Sequence, residues 1–118
     1  MVISATIANW RVHNTLVDKG ISANVLYWSI FLKLNLPLEM VKSYPDPLVR
    51  FVGERVHTRG FMDLLTTFGS GRTHRTLTVR YLLVEANMSY NVLIGRSTLN
   101  TLGAIVYTPH MAMKFPSE

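Results

Sequence analysis

Short apolar stretches, separated by glycine, asparagine and proline, recur along most of this chain. Val2 to Ala8 is apolar and contains several β-branched residues, and the asparagine that follows it predicts a turn. In the next stretch, Arg11 to Val17, we expect Val12, Asn14 and Leu16 to share one face, because side chains alternate along a strand. The two stretches together predict an antiparallel hairpin.

A brief strand and a short helix are predicted next. Val25 to Tyr27 is short and apolar, which suits a strand. Trp28 to Leu34 has helical spacing, because Phe31 and Leu34 lie three positions apart. Asn35 is a residue type that commonly ends a helix in a left-handed conformation.

The centre of the chain predicts a connection followed by a hairpin. Leu36 to Pro47 carries three prolines and predicts a surface connection. Leu48 to Val52 and Arg55 to Thr58 then predict two paired strands. The tip between these strands, Gly53-Glu54, is expected to be mobile, because glycine supplies conformational freedom.

A second hairpin is predicted further along. In Phe61 to Phe68 the apolar Met62 and Leu64 share one face, and Asp63 lies on the other. A Gly-Ser-Gly turn follows, and Thr73 to Val84 supplies a long strand that pairs back. The boundary before this hairpin is expected at the glycine that precedes it.

The last third of the chain predicts a strand, a helix and two more strands. Val92 to Ile94 is a fully apolar strand, and Arg96 to Leu102 predicts a short helix between a serine near its start and a glycine past its end. The final strands are expected at Ala104 to Tyr107 and at Met111 to Phe115. The whole pattern predicts an all-β fold, mainly β with one or two short helices, arranged as a closed or nearly closed barrel.

Composition narrows the class of protein. A chain of 118 residues suits a single domain spanning 1–118, and 48% hydrophobic residues indicate a globular chain. The mean hydropathy of +0.20 is high for a soluble monomer, so we expect apolar surface to be buried against a partner. No apolar run is long enough to span a bilayer and no secretion signal opens the chain, so we expect no membrane contact and a cytoplasmic protein.

The candidate chemistry lies in the stretch from Leu16 to Ser22. Asp18 ends an apolar strand and is followed after one residue by Gly20, which permits a tight turn. Such an aspartate either closes a hairpin or is a functional carboxylate, and the local sequence leaves both open. Of the seven carboxylates in the chain, Asp18 alone has an apolar strand before it and this glycine after it.

The chain resembles the retropepsin-like aspartic proteases, most of all the protease domain of plant gypsy-type retrotransposon Gag-Pol polyproteins. Their Val-Leu-Val-Asp-(Thr/Asn)-Gly-Ser-Ser pattern is matched from Leu16 to Ser22, and their closing Met-Lys-Phe-Pro is matched from Met113 to Pro116. A second pattern, Tyr-Asn-x-Ile-Leu-Gly-Arg-x-x-Leu-Asn, is matched at Tyr90, Asn91, Leu93, Ile94, Gly95, Arg96, Leu99 and Asn100. The resemblance covers nearly the whole chain and predicts a retropepsin-like closed acid-protease barrel.

The resemblance implies an aspartic endopeptidase that works as a homodimer. Two carboxylates that share one proton activate a water, and one chain supplies only Asp18, so a second copy is the expected partner. The substrate is expected to be an extended polypeptide, the chain's own polyprotein, and no cofactor or metal is implied. The resemblance implies three further groups of site residues. Gly20 and Ser22 lie beside the aspartate, and the Ser22 hydroxyl is expected to bond the carboxylate. A flap hairpin over about 48–58 contains Arg50, Phe51, Val52, Gly53 and Glu54, and a strand-helix segment beneath the loop, 91–102, contains Asn91, Leu93, Ile94, Gly95 and Arg96.

Lys19 departs from the family pattern, which has threonine, serine or asparagine after the aspartate. Lysine offers no hydrogen-bond acceptor, and two ammonium groups near a twofold axis repel each other. Two hypotheses remain open. Either Lys19 turns outward into solvent and weak activity persists, or the domain folds but dimerises poorly.

Other functions receive less support from the sequence. The four histidines are far apart and show no metal-ligand spacing, so no metal site is expected. The net charge of +5 comes from scattered cations, which argues against a dedicated nucleic-acid surface. The alternative is a catalytically inactive domain of the same fold that serves self-association or basic contact with nucleic acid within a polyprotein.

Overall fold

A computed structural model describes residues 2–45, 48–51, 54–69, 74–86, 89–102, 105–107 and 112–114. Within these residues it has β-strands, two α-helices and a short 3-10 helix at Leu38–Met40. The strands are β1 (Val2–Ile7), β2 (Trp10–Val17), β3 (Asn24–Tyr27), β4 (Leu48–Phe51), β5 (Glu54–Phe68), β6 (Arg75–Glu85), β7 (Val92–Ile94), β8 (Ile105–Tyr107) and β9 (Ala112–Lys114). The helices are α1 (Trp28–Leu34) and α2 (Arg96–Leu102).

Six of the strands close into a barrel. Their order is β1-β2-β7-β3-β6-β5, and β5 returns to β1 where Ala5 faces Phe68 and Ile7 faces Thr66. Strand β4 pairs outside the ring with β5, and β8 and β9 form a separate two-stranded sheet. The predicted fold class, a mainly β closed barrel with two short helices, is confirmed.

The barrel has apolar residues packed on both sides of three of its strands. The main cluster fills the interior and includes Phe31, Phe68 and Leu83. A second cluster on the outer face joins Val25 and Leu93 to their neighbours on β6. Strands β3 and β7 and the second half of β6, from Tyr81 to Val84, are therefore buried on both faces, which accounts for the consecutive apolar residues in these segments.

The predicted alternation in β2 is wrong because the strand carries a bulge. Asn14 has a left-handed backbone with φ of 55°, and the register with β1 shifts between Ile3 and Ala5. The extra residue reverses the faces beyond it, so Thr15 is 0% exposed and Leu16 is only partly buried. The core-facing residues of β2 are consequently Val12, Thr15 and Val17.

The helix predictions are confirmed in the described residues. In α1, Phe31 and Leu34 are buried, and Asn35 ends the helix with φ of 55° and ψ of 41°. In α2, Leu99 and Leu102 are buried, while Gly103, the predicted terminator, lies outside the described residues. No helix in the described part of the chain is long and apolar enough to cross a membrane.

The two predicted hairpins share one continuous strand. Strand β5 runs unbroken through the expected boundary at Gly60, where the pairing with β6 shifts by one residue. Gly60 has φ of 127°, and a Cβ added there would lie 2.3 Å from the Lys42 carbonyl oxygen. The glycine is thus required by a bulge and a close approach, and Lys42 bridges to Phe61 beside it. In the turn that follows β5, Ser70 and Gly71 lie outside the described residues.

Candidate active site

Parallel pairing with β7 brings Asp18 to its place in the barrel. Leu16 faces Leu93 and Val17 faces Ile94 in the register of the two strands. The pairing extends one residue further, because the Asp18 amide donates to the Ile94 carbonyl oxygen at 2.9 Å. The half-buried Asp18 therefore begins its loop from a fixed backbone position at the end of β2.

The Asp18 side chain is oriented by its own loop. The Gly20 amide donates to Asp18 Oδ1 at 2.8 Å. A Cβ added at Gly20 would lie 3.1 Å from the same oxygen, so a larger residue would crowd the carboxylate. The short turn thus gives one carboxylate oxygen a hydrogen-bond donor and leaves the carboxylate at the end of the strand.

The rest of the loop is fastened to the segment that joins β7 to α2. The Arg96 amide donates to the Ile21 carbonyl oxygen at 2.7 Å, and Ser97 Oγ donates to the Ser22 carbonyl oxygen at 3.0 Å. The residue before them, Gly95, donates its amide to Asn24 Oδ1 at 2.9 Å. The predicted strand-helix segment therefore lies directly against the loop that carries Asp18.

Gly95 permits this close packing. A Cβ added at Gly95 would lie 2.2 Å from the Ala23 carbonyl oxygen and 2.9 Å from that of Ile21. Both contacts are with backbone, which cannot turn aside as a side chain can. The loop and the start of α2 could not approach this closely around any larger residue.

Asn91 supports the bulged part of β2. Its Nδ2 donates to the His13 carbonyl oxygen at 2.7 Å, and its backbone amide donates to the Asn14 carbonyl oxygen at 3.0 Å. Its own carbonyl oxygen accepts from the Tyr27 amide at 3.3 Å. Asn91 thus links β2 to β3 just before β7 begins.

Two cations lie at the loop, Lys19 within it and Arg96 at the start of α2. Lys19 is exposed, and Arg96 Nη1 donates to the Lys19 carbonyl oxygen at 3.5 Å. Within the described residues the ion pairs are Arg59 with Glu85 and Arg80 with Asp63, both on β5 and β6. Neither loop cation has a carboxylate partner among the described ion pairs.

The acidic members of the two ion pairs are held in their charged form. A hydrogen bond from Arg80 keeps the pKa of Asp63 below its usual range, and a hydrogen bond from Arg59 does the same for the pKa of Glu85. These carboxylates are therefore ion-pair partners of arginines on strands β5 and β6.

Other predicted site residues are only partly described. Ser22 joins the network through its carbonyl oxygen, and the bond from its hydroxyl to the carboxylate stays a prediction. The hairpin predicted over about 48–58 is present, with Arg50 facing Arg55 and Phe51 facing Glu54, and its role as a flap stays a prediction. Glu54, predicted as a tip residue, lies in β5, and Val52 and Gly53 lie outside the described residues. In the described part of the chain, no three His, Asp or Glu side chains come close enough to hold a metal ion.

Sequence analysis missed two residues of this network, Asn24 and Ser97. A polar residue directly before the apolar residues of β3 was an available signal for Asn24, because a buried amide needs hydrogen-bond partners. Ser97 was noted only as a helix start. Its bond to a carbonyl oxygen 75 positions away gave no local signal.

Comparison with known proteins gives structural matches only. No protein-family model and no curated protein sequence matches the chain. The retroviral protease-like domain of Ddi1 from Leishmania major matches with a TM-score of 0.73 at 14% identity, over 100% of this chain and 89% of that one. EIAV protease complexed with the inhibitor HBY-793 matches with a TM-score of 0.68 at 20% identity, over 91% of each chain.

A third match comes from a bacterial protein. The retropepsin-like aspartic protease from Rickettsia conorii matches with a TM-score of 0.63 at 18% identity, over 90% of this chain and 75% of that one. Identities this low establish a common fold and leave activity to be argued from the site itself. The chain has the closed six-stranded barrel of the retropepsin-like aspartic protease domains.

Proposed function

We propose that this chain is one half of an aspartic endopeptidase, in which two copies bring their Asp18 carboxylates together across an extended peptide. The observation that carries the proposal is the position of Asp18. It directly follows barrel strand β2, in a retropepsin-like fold, with a glycine amide 2.8 Å from its carboxylate. An aspartate that merely closed a surface hairpin would not need a strand and a helix fastened behind its loop.

The proposed reaction is hydrolysis of a peptide bond. One Asp18 carboxylate takes a proton from a water as its oxygen attacks the peptide carbonyl carbon, and the partner's protonated carboxyl gives its proton to the carbonyl oxygen. The carboxyl that took the proton from water then gives it to the amide nitrogen, the partner carboxylate takes a proton from a hydroxyl of the tetrahedral intermediate, and the carbon–nitrogen bond breaks. The water is divided between the two products, and the pair of carboxyls again shares one proton.

The need for a second copy follows from the inventory of carboxylates. Asp63 and Glu85 are paired with arginines on β5 and β6. The loop from Asp18 to Asn24 contains a single carboxylate, that of Asp18, so a second copy related by twofold symmetry supplies the other. The separate sheet of β8 and β9 fits this proposal, since an isolated pair of short strands is only marginally stable without further contacts.

The proposed substrate is an extended polypeptide, and the proposed source is a gypsy-type retrotransposon polyprotein. The hairpin of β4 and β5 acts as the flap, because a strand edge can pair with an extended peptide and leave alternate side chains for pockets. The polyprotein context rests on the residue patterns at Leu16–Ser22, at 90–100 and at Met113–Pro116. The chain is the protease segment of such a polyprotein.

The decisive experiment compares wild type with Asp18→Asn in cleavage of fluorescein-labelled casein near pH 5. The substitution keeps the side-chain shape and its acceptor for the Gly20 amide, but it removes the carboxylate. We expect cleavage to fall at least about a hundredfold, since a shared-proton mechanism fails without both carboxyls. A thermal unfolding curve checks that both proteins are folded.

The competing function is an inactive domain that serves self-association or nucleic-acid contact, and Lys19 is the observation that favours it. Equal casein cleavage by wild type and Asp18→Asn would overturn the enzyme proposal. Binding of a labelled oligonucleotide that weakens steeply with salt would then support the nucleic-acid alternative. Dimers without either property would support self-association.

A further inference from the structure

Asn24 is a buried polar side chain in an otherwise apolar strand. It begins β3, is 6% exposed and is followed by three buried apolar residues. Its Oδ1 accepts from the Gly95 amide at 2.9 Å, and its Nδ2 donates to the Arg80 carbonyl oxygen at 3.2 Å. One side chain therefore ties the start of α2 and the middle of β6 to the end of the Asp18 loop.

The two ends of that loop are anchored to consecutive residues. At one end the Asp18 amide bonds the Ile94 carbonyl oxygen, and at the other Asn24 Oδ1 accepts from the Gly95 amide. The seven residues from Asp18 to Asn24 thus form a closed span on the end of β7. Removing the Asn24 side-chain bonds would leave the second half of the loop held through the carbonyl oxygens of Ile21 and Ser22 and through the backbone pairing of β3 with β6.

We infer that Asn24 is a positioning residue for Asp18, because Asn24 keeps the loop ordered within a single chain. The inference rests on the proposed function for its effect on activity, but its structural part does not. The Asp18 carboxylate is oriented by the Gly20 amide, which lies inside the anchored span. Displacement of the span would move this donor, and displacements of about 1 Å at reacting groups can cost two orders of magnitude in rate.

Lys19 makes the internal anchor more important. The Lys19 side chain is exposed, and within the described hydrogen bonds the residue contributes to the loop only by accepting from Arg96 at its carbonyl oxygen. The order of the loop therefore comes from bonds to residues 94–97 of the same chain. We expect the loop to be formed before any second copy binds.

The structural test is amide hydrogen exchange in three variants. Asn24→Leu removes both bonds at similar volume, and Asn24→Thr restores a donor and an acceptor. Thr66→Val is the matched control, because it also removes a buried hydrogen bond on another part of the barrel. That bond joins Thr66 Oγ1 to Tyr81 Oη at 2.9 Å. The reporting amides are those of Asp18 and Arg96, whose acceptors are the carbonyl oxygens of Ile94 and Ile21 rather than Asn24 itself.

We expect Asn24→Leu to speed exchange at these two amides about tenfold more than in the β5–β6 ladder, and Asn24→Thr to stay within about threefold of wild type. Thr66→Val should speed exchange in the ladder at least as much as at the loop. Equal acceleration of loop and ladder by Asn24→Leu would mean that Asn24 supports only global stability, and it would overturn the inference.

The functional test uses casein cleavage at a temperature where all variants are folded. We expect Asn24→Leu to lower kcat at least about tenfold with KM changed less than about threefold, and Thr66→Val to leave kcat near wild type. Equal kcat values for the two variants would overturn the positioning role. If wild type shows no Asp18-dependent cleavage, the proposed function fails, and the exchange experiment alone decides whether Asn24 orders the loop.

Discussion

Tyr81 shows how one buried side chain links stability to pH. The residue is 0% exposed, and its hydroxyl lies 2.9 Å from Thr66 Oγ1. Burial raises the pKa of Tyr81 above its usual value, and burial also raises the pKa of Tyr27 to about 12. The phenol keeps its proton more tightly in the folded chain than in the unfolded chain. Its contribution to the free energy of unfolding is therefore full below about pH 10 and is lost as pH rises above that value.

We therefore predict that Tyr81→Phe flattens the loss of stability at alkaline pH. At neutral pH the substitution should lower the free energy of unfolding by about 0.5–1.5 kcal/mol, the usual value of one hydrogen bond. Above about pH 10 the difference from wild type should shrink, because the phenylalanine has no proton to lose. Urea unfolding between pH 7 and pH 11 measures both effects. Tyr44→Phe, at an exposed tyrosine, is the control. If its difference from wild type in free energy of unfolding changed with pH as that of Tyr81→Phe does, the effect could not be assigned to the burial of Tyr81.

At the scale of elements, the contact between the Asp18 loop and α2 depends on two glycines in different ways. A Cβ at Gly95 would meet the backbone of Ala23 at 2.2 Å, whereas a Cβ at Gly20 would meet only the Asp18 side chain at 3.1 Å. We predict that Gly95→Ala lowers the free energy of unfolding by about 1–3 kcal/mol, as overpacking does, and that Gly20→Ala lowers it by less than about 1 kcal/mol. Urea unfolding of both variants provides the comparison, and equal losses would contradict it.

The same scale shows what the sequence could and could not predict. The helix bounds at α1, the strand β7 and the loop at Asp18 follow from local spacing and from residues that lie next to each other in the chain. The bulge at Asn14 does not, because it depends on the register with β1, and the need for glycine at Gly60 depends on a distant carbonyl oxygen, that of Lys42. The burial of Asn24 beside apolar residues had a local signal, but its partner Gly95 did not, since it lies 71 positions away.

At the scale of the whole molecule, charge and proposed symmetry act against each other. The chain has a net charge of +5, and Lys19 and Arg96 lie at the loop that is proposed to meet its own copy. If the two Asp18 carboxylates meet, the adjacent Lys19 residues lie within about 10–15 Å of each other, since neighbouring Cα atoms are about 3.8 Å apart. At about 10 Å, two like charges repel by roughly 0.4–1.7 kcal/mol, depending on solvent exposure.

We predict that Lys19→Thr tightens the dimer by about twofold to twentyfold at low salt, the factor that corresponds to this repulsion. Sedimentation equilibrium over a concentration series measures the dissociation constant. The effect should shrink between about 50 mM and 500 mM NaCl, because screening shortens the range of the repulsion. Lys33→Thr, at an exposed lysine on α1, removes the same charge away from the loop and is the matched control. Equal tightening by both variants would show that the net charge of the molecule, rather than the position of Lys19 beside Asp18, weakens the association.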